Sequence, residues 1–184
     1  MAYLSCEQEK KKFLESYKIY HGRYGQYVKG TLGEILGFIP VEDFEKYYET
    51  PENAIIFAMS GTDGCHYCMV EIDDIINIYA VFPNLGEERS VYLVGHTIDE
   101  VLSYLLSIIG LFECVFDYDK NKFLQIVEEV KSEYTSKLES EEFQRDLSDL
   151  KRVYSIFSPS ASEVYDCLKN MNPNAETLEC TRKQ

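Results

Sequence analysis

The hydrophobic pattern of the chain is clearest between residues 54 and 110. Four short apolar runs alternate there with polar segments, and they cover residues 54–59, 65–71, 76–82 and 90–94. The connections between the runs are too short for parallel crossovers, so they favour antiparallel hairpins. The first run is apolar on both faces of a strand, which predicts a central strand covered on both sides, or a strand that packs on a helix on one side and on a sheet on the other. The connection 60–64 is typical of a turn because its glycines and Asp-Gly pair adopt positive φ at little cost.

An amphipathic helix is predicted directly after the fourth strand. Thr97 and Glu100 have the spacing of a capping box, in which both side chains bond backbone N–H groups at the start of a helix. The apolar residues that follow recur at helical spacing, and they are Ile98, Val101, Leu102, Leu105, Leu106 and Ile109. This stripe predicts a helix with one buried face, and Gly110 is a typical end for it.

The N-terminal third is less regular. Ser5 and Gln8 form a second capping-box pattern, which predicts a helix from that point. The glycines between residues 22 and 37 predict turns or short irregular pieces. A short helix is predicted to begin near Pro40, because proline suits a first helical turn. Its apolar face would consist of Val41, Phe44 and Tyr48.

The C-terminal third shows no strand pattern. Apolar residues recur at helical spacing in one segment, at Phe123, Ile126, Val127, Val130, Tyr134 and Leu138. They recur again in a second segment, at Phe143, Leu147, Leu150, Tyr154 and Phe157. Pro159 separates this second helix from a third, which Ser160 and Glu163 are predicted to cap.

Together these elements predict an α+β fold. A mostly antiparallel sheet of about four to six strands would be flanked by helices and followed by an all-helical C-terminal extension. We predict an α+β domain over residues 1–116, a helical extension packed on it over 117–172, and a polar tail over 173–184.

Charge limits the classes of partner. The chain carries 32 Asp and Glu residues against 18 Lys and Arg residues, which gives a formal net charge of −14. A nucleic-acid-binding protein needs a basic face to displace phosphate counterions, so direct nucleic-acid binding is not expected. A strongly acidic surface keeps a protein in solution, and it can also attract a basic protein partner.

The remaining bulk properties indicate a cytoplasmic protein. No apolar run approaches membrane-spanning length, so no membrane association is expected. The first residues lack the basic-then-apolar pattern of a secretory signal. Six cysteines are scattered along 184 residues without the spacing of a compact disulfide scaffold, which favours reduced thiols.

Cys65-His66-Tyr67-Cys68 is the strongest candidate for chemistry. A zinc site needs about four ligands, and along a strand His66 and Cys68 share one face while Cys65 points to the other. A redox Cys-x-x-Cys pair normally begins a helix, whereas this pair lies in a predicted strand. Packing within the sheet is therefore the preferred interpretation, with metal binding or redox chemistry as alternatives. No catalytic residue, metal site or cofactor is predicted.

The order of the central motifs resembles the SMI1/KNR4-like, or SUKH, superfamily. The run from Ala54 to Ile72 has the family's apolar strand, Gly-Asp-Gly-type turn and aromatic-bearing strand. Residues 91–94 and the helix after Thr97 follow in the family's order, and Ile39-Pro40 is similar to its Leu-Pro element. The resemblance covers roughly residues 37–110, under half of the chain. Residues 50–53 depart from the family's usual Asn-Gly-Gly segment.

The resemblance implies an α+β fold and a role in protein binding. Many bacterial members of the superfamily are immunity proteins that neutralise a cognate toxin, often a nuclease, and eukaryotic relatives are regulatory interaction proteins. We therefore predict a non-enzymatic protein-binding domain, and specifically an immunity protein whose partner is a basic toxin domain. A regulatory or scaffolding module of the same fold, and a metal- or small-molecule-binding protein, are the alternatives.

Residues that contact a protein partner are predicted at strand ends and loops. The acidic candidates are Asp73, Asp74, Glu87 and Glu88. Tyr79 is a candidate aromatic anchor, since tyrosine combines a large apolar ring with a polar hydroxyl.

Overall fold

The sheet is five-stranded and antiparallel, and its strands follow one another in chain order. In a computed structural model of the chain, the described residues are 5–21, 31–47, 49–61, 64–83 and 91–173. The strands are β1 (Ile39–Pro40), β2 (Ile55–Met59), β3 (His66–Ile72), β4 (Ile75–Val81) and β5 (Val91–Gly95). The described helices are α1 (Cys6–His21), α2 (Thr31–Leu36), α3 (Ile98–Ile108), α4 (Phe112–Asp117), α5 (Lys120–Leu138), α6 (Glu141–Val153) and α7 (Ala161–Met171). This architecture confirms the predicted α+β fold.

The tightest connection in the sheet joins β3 to β4. Ile72 pairs with Ile75, and only Asp73 and Asp74 lie between them. Both aspartates have positive φ, at 51° and 61°. A two-residue turn of this handedness matches the twist of the flanking strands, and aspartate tolerates positive φ better than most residues.

The two faces of the sheet bury different sets of residues. On one face, which we call the helix-covered face, residues of β2 to β5 such as Tyr67, Met69 and Ile78 share a core with residues of all seven described helices. The opposite face, which we call the second face, buries a smaller group of residues, namely Ala54, Ile56, Cys68, Val70, Tyr79 and Val81. In the described part of the chain this group packs against Val41 and Phe44 rather than against a helix.

α3 is the central helix of the helix-covered face, and its start matches the predicted capping box. The Thr97 hydroxyl accepts a hydrogen bond from the backbone N–H of Glu100 at 3.2 Å. After the helix, Ile109 and Gly110 both have positive φ. A Cβ atom on Gly110 would lie 2.5 Å from the backbone oxygen of Leu36. Glycine therefore ends this helix and also permits the close approach of α2.

The C-terminal helices contribute to the same core as the sheet. Phe123 of α5, Phe143 of α6 and Leu168 of α7 are all buried within it. The three predicted helices are confirmed, although α6 ends at Val153, before Tyr154 and Phe157. The domain boundary near residue 117 stays a prediction. No helix of the described residues is both long enough and apolar enough to cross a membrane.

The short helix predicted near Pro40 is wrong. Ile39 and Pro40 form an edge strand opposite Met59 and Ala58, and the N–H of Val41 donates to the carbonyl of Phe57 at 3.0 Å. Proline has no backbone N–H to donate to a neighbouring strand, so it is tolerated in an edge strand such as this one. Two further residues were predicted on the apolar face of that helix. Phe44 packs on the second face of the sheet, and Tyr48 lies outside the described residues.

A short helix occurs instead within the glycine-containing segment that was predicted to be irregular. This helix is α2, which includes Gly33. Ile35 and Leu36 at its end are buried in the main core. Burial of these apolar side chains outweighs the low helix propensity of a single glycine. α4 was not predicted either.

Candidate functional site

The β3–β4 turn presents an unusual combination of exposed side chains. Ile72 and Ile75 keep 40% and 55% of their surface exposed. They are direct cross-strand partners, so their side chains lie next to each other on the same face. Asp73 and Asp74 stand between them and are also exposed. The turn therefore combines an apolar pair with two carboxylates on a short, well-defined scaffold.

A cavity of about 280 Å³ opens beside this turn, and we call it the turn pocket. Its apolar lining consists of Met69, Ile75, Ile76, Ile78 and Ile98. Met69, Ile78 and Ile98 belong to the core of the helix-covered face, so the base of the pocket is fixed by core packing.

The polar lining of the turn pocket comes from four separate parts of the chain. Glu9 and Lys12 lie on α1, and Asp74 belongs to the turn. His96, Thr97 and Asp99 lie at the start of α3, and Tyr154 follows α6. Three carboxylates thus face one lysine, and the pocket is a region of negative potential.

Tyr154 forms a buried wall of the turn pocket. Its hydroxyl forms a hydrogen bond of 2.8 Å with the hydroxyl of Ser16. Burial is the main cause that raises the pKa of Tyr154 to about 12; the hydrogen bond to Ser16 lowers the pKa, and the charges of Glu9 and Asp99 contribute to the rise. The phenol is therefore neutral at physiological pH. The Nζ atom of Lys12 lies 5.6 Å from the centre of the ring, within cation–π distance.

The start of α3 is held rigidly where it meets the pocket. The Glu100 carboxylate accepts a hydrogen bond from the backbone N–H of His96 at 2.7 Å. The Thr97 hydroxyl closes the capping box on the same turn. The adjacent Asp99 carboxylate thus stands on a fixed helix end, whose positive dipole favours its charge.

The candidate cluster around His66 is buried and lies on the second face. His66 is 1% exposed and Cys68 is fully buried, whereas Cys65 packs against the main core. This arrangement confirms that His66 and Cys68 share one face and that Cys65 does not. All three cysteine and histidine side chains are held by packing.

Hydrogen bonds fix the His66 ring in one form. Its Nδ1 atom donates to the carbonyl of Gly64 at 2.7 Å, so Nε2 accepts from the Thr50 hydroxyl at 3.0 Å. The ring also packs against Phe44 and Tyr47, with centroids 5.6 and 6.0 Å away. Burial lowers the pKa of His66 and thus keeps it neutral. The described residues contain no group of three or more His, Cys, Asp and Glu side chains arranged to hold a metal ion.

The structure distributes the predicted partner-binding residues over different places. Asp73 and Asp74 are exposed at the β3–β4 turn, and Asp74 lines the turn pocket. Tyr79 is 8% exposed and lies in the apolar cluster of the second face. Glu87 and Glu88 lie outside the described residues.

Several residues of the turn pocket were not anticipated from the sequence. Glu9, Lys12, Asp99 and Tyr154 are far apart in the chain and meet only when α1, α3 and α6 pack on the sheet. The one local signal was Asp99, which stands in the first turn of a capped helix. That position is equally well explained by the helix dipole.

Comparison with protein-family models, with curated proteins and with solved structures finds no match to this chain in any of the three. The resemblance to the SUKH superfamily therefore stays a prediction.

Proposed function

We propose that this chain is a non-enzymatic protein-binding domain that recognises a basic partner through the β3–β4 turn and the adjoining turn pocket. Within that class we propose an immunity protein, whose partner is the basic domain of a cognate bacterial toxin. The SUKH-like order of motifs supports the proposal that the partner is a toxin.

The exposed turn is the observation that carries the proposal. Ile72 and Ile75 provide apolar surface, and Asp73 and Asp74 provide charge at the same point. Interfaces commonly combine an apolar centre with a polar surround in this way. The turn has only two residues between paired strands, so little conformational entropy would be lost when a partner binds.

The charge of the whole chain supports a basic partner. A net charge of −14 produces a long-range field that accelerates association with a positively charged protein. If that partner is a nuclease, an acidic protein placed over its basic substrate groove would also exclude the phosphates of the substrate. Inhibition then requires only occupancy of the groove, without any catalytic step.

The burial of His66 and Cys68, the candidates for chemistry in the sequence, supports a role without catalysis. His66 and Cys68 have almost no exposed surface, and Thr50, which bonds the imidazole, is fully buried. A nucleophile or general base must come within hydrogen-bond reach of its substrate. These three groups are instead engaged in packing on the second face.

Binding and neutralisation of the toxin domain encoded beside the gene would test the function directly. We expect a stoichiometric complex in which the toxin loses activity, with a dissociation constant that rises as salt screens the opposing charges. Asp73→Asn/Asp74→Asn should weaken the complex. Glu133→Gln/Glu142→Gln, which removes the same charge from the exposed surface of α5 and α6, should leave it nearly unchanged. A purified protein that neither binds nor neutralises the toxin would contradict the immunity assignment.

A further inference from the structure

The turn pocket has the shape and polarity to hold one long side chain. Its volume of about 280 Å³ lies just below the ~300 Å³ at which pockets for drug-sized molecules begin. The interior is lined by Met69, Ile76 and Ile78, and carboxylates stand around it. An occupant would therefore need an apolar stem and a charged end.

The charges of the pocket select a cation. Glu9, Asp74 and Asp99 line the cavity from three separate elements, and the basic side chains among the lining residues are Lys12 and His96. An anionic occupant would meet three carboxylates, whereas a cationic occupant would relieve their mutual repulsion. The raised pKa of Tyr154, to which Glu9 and Asp99 both contribute, indicates that the fields of these acids converge inside the pocket.

The pocket already contains an aromatic surface for a cation. The neutral Tyr154 ring lies 5.6 Å below the ammonium group of Lys12. Lys12 is largely exposed, so its ammonium can return to water when another cation enters. A flat cation can then lie against the ring while it remains within the field of the three carboxylates.

We propose that the turn pocket binds an arginine side chain of the basic partner, an inference that rests on the proposed function. Arginine fits better than lysine because its guanidinium is planar, weakly hydrated and able to donate to two carboxylates at once. Arginine is also enriched among the residues that dominate binding energy at interfaces. The exposed Ile72 and Ile75 then cover the apolar surface of the partner around the inserted side chain.

Small capped amino acids test the pocket without the partner. N-acetyl-arginine methylamide is titrated into the purified chain, and the methyl signals of Ile76, Ile78 and Ile98 are followed by NMR. We expect saturable shifts of these three methyl groups. The citrulline analogue has nearly the same shape without the charge, and the lysine analogue keeps the charge without the plane. Both should bind more weakly, and citrulline by at least about tenfold, equivalent to ~1.4 kcal/mol.

Two matched pairs of variants locate the binding site. Asp74→Asn should weaken binding of the arginine probe by about two- to fivefold, the range of a partly exposed ion pair. Asp73→Asn changes the same chemistry in the same turn, but Asp73 does not line the pocket, so binding should be unchanged. Asp99→Asn and Glu142→Gln form the second pair, because both acids lie in the first turn of a helix and only Asp99 lines the pocket. Asp99→Asn should therefore weaken binding of the arginine probe, and Glu142→Gln should leave it unchanged.

The outcomes separate this inference from the function on which it rests. An absence of saturable shifts, equal binding of citrulline or lysine, or equal losses for Asp74→Asn and Asp73→Asn would overturn the arginine pocket, even in a protein that neutralises its toxin. Specific binding of the arginine probe to a protein that binds no toxin would overturn the immunity function and leave the pocket in place. In a complex that does form, Asp74→Asn should weaken the affinity for the toxin more than Asp73→Asn.

Discussion

The two faces of the sheet are built on different principles. The helix-covered face buries its strands under helices that begin and end with recognisable local signals, such as the Thr97 capping box and Gly110. The second face is covered in the described residues by an irregular segment that includes Val41 and Phe44, and a buried polar cluster around His66 lies beside it. One face thus depends on regular helix packing, and the other depends on particular contacts of a loop.

This difference separates the role in stability from the role in recognition. The turn pocket is anchored in the helix-covered face through Met69 and Ile78, while its acidic residues project from the margins of that face. The adjoining Ile72 and Ile75 form the exposed end of the second face. The proposed binding region therefore lies where the two faces meet at the end of the β3–β4 hairpin, on a rigid base.

Replacing the same residue type on each face provides the sharpest test of the comparison. Ile78 is fully buried beneath the helices, and Ile56 is 5% exposed on the second face. Loss of a buried isoleucine side chain costs about 2–5 kcal/mol, with the cost rising as the surroundings relax less. We expect Ile78→Ala to lie near the upper limit and Ile56→Ala near the lower limit of that range, as measured by chemical denaturation. Equal losses would indicate that the two faces are equally rigid.

Asn172 offers a second test, because it connects the helical layer to the edge of the sheet. It follows α7, and its side-chain amide accepts from the N–H of Leu93 at 3.0 Å and donates to the carbonyl of Leu93 at 2.9 Å. Among the described residues β5 is the last strand of the sheet, and the amide bonds its outer edge as a neighbouring strand would. Asn172→Ala should reduce the free energy of unfolding by about 1–3 kcal/mol, because both backbone groups lose a partner.

Hydrogen exchange would show whether the Asn172 contact acts locally. We expect the amide proton of Leu93 to exchange faster in Asn172→Ala than the loss of global stability alone would explain. The amide protons between β3 and β4 should change only by the amount that the loss of global stability explains. Asn172→Asp is the matched variant, since it can still accept from the N–H of Leu93 but can no longer donate to its carbonyl. Unchanged exchange at Leu93 in both variants would show that the edge does not depend on this side chain.

The capping box of α3 tests whether a local signal stabilises the helix-covered face. Removal of a side-chain cap costs about 1 kcal/mol, so Thr97→Ala should lower the free energy of unfolding by that amount. Thr135→Ala on α5 is the control, because its hydroxyl donates only to the carbonyl of Lys131 within an exposed helix surface. Thermal or chemical unfolding of the two variants would separate the effects. A loss in Thr97→Ala no larger than that in Thr135→Ala would contradict a capping role.

The elements that were predicted correctly have local causes. The helix after Thr97 depends on a cap and a stripe of apolar residues, and the hairpins depend on apolar runs with short turns. The residues that form such signals lie within about one or two helical turns or strands of each other, so the signals can be recognised in the sequence. The failure at Pro40 has a tertiary cause, since pairing with Ala58 holds this segment extended.

The candidate site was only partly predictable for the same reason. Asp73 and Asp74 could be selected as exposed acids of a tight connection. Glu9 and Tyr154 could not be selected, because they reach the turn pocket only when α1 and the end of α6 meet at the sheet. No local pattern in the sequence encodes that meeting. Residues that form a pocket between distant elements become visible only with the fold.

The smallest predicted effect is a dependence of stability on pH. It concerns His66, which lies buried on the second face. Burial lowers the pKa of His66 in the folded protein below its ordinary value of about 6.5, which the unfolded chain retains. Below that pH the unfolded chain therefore takes up a proton before the folded protein does. Stability contributed by the neutral ring is complete above pH ~6.5, and it declines as the pH falls toward the lowered pKa of the folded state.

Substitution of His66 should remove this decline. We expect the free energy of unfolding of the wild-type protein to fall in the interval below about pH 6.5, and we expect a shallower slope in His66→Gln. His96→Gln is the control, because His96 lies exposed at the entry to α3 on the other side of the sheet. The acid response of the whole protein would then originate mainly from the second face in this interval. If His96→Gln flattened the profile as much as His66→Gln, the acid response could not be assigned to the buried imidazole or to the face that contains it.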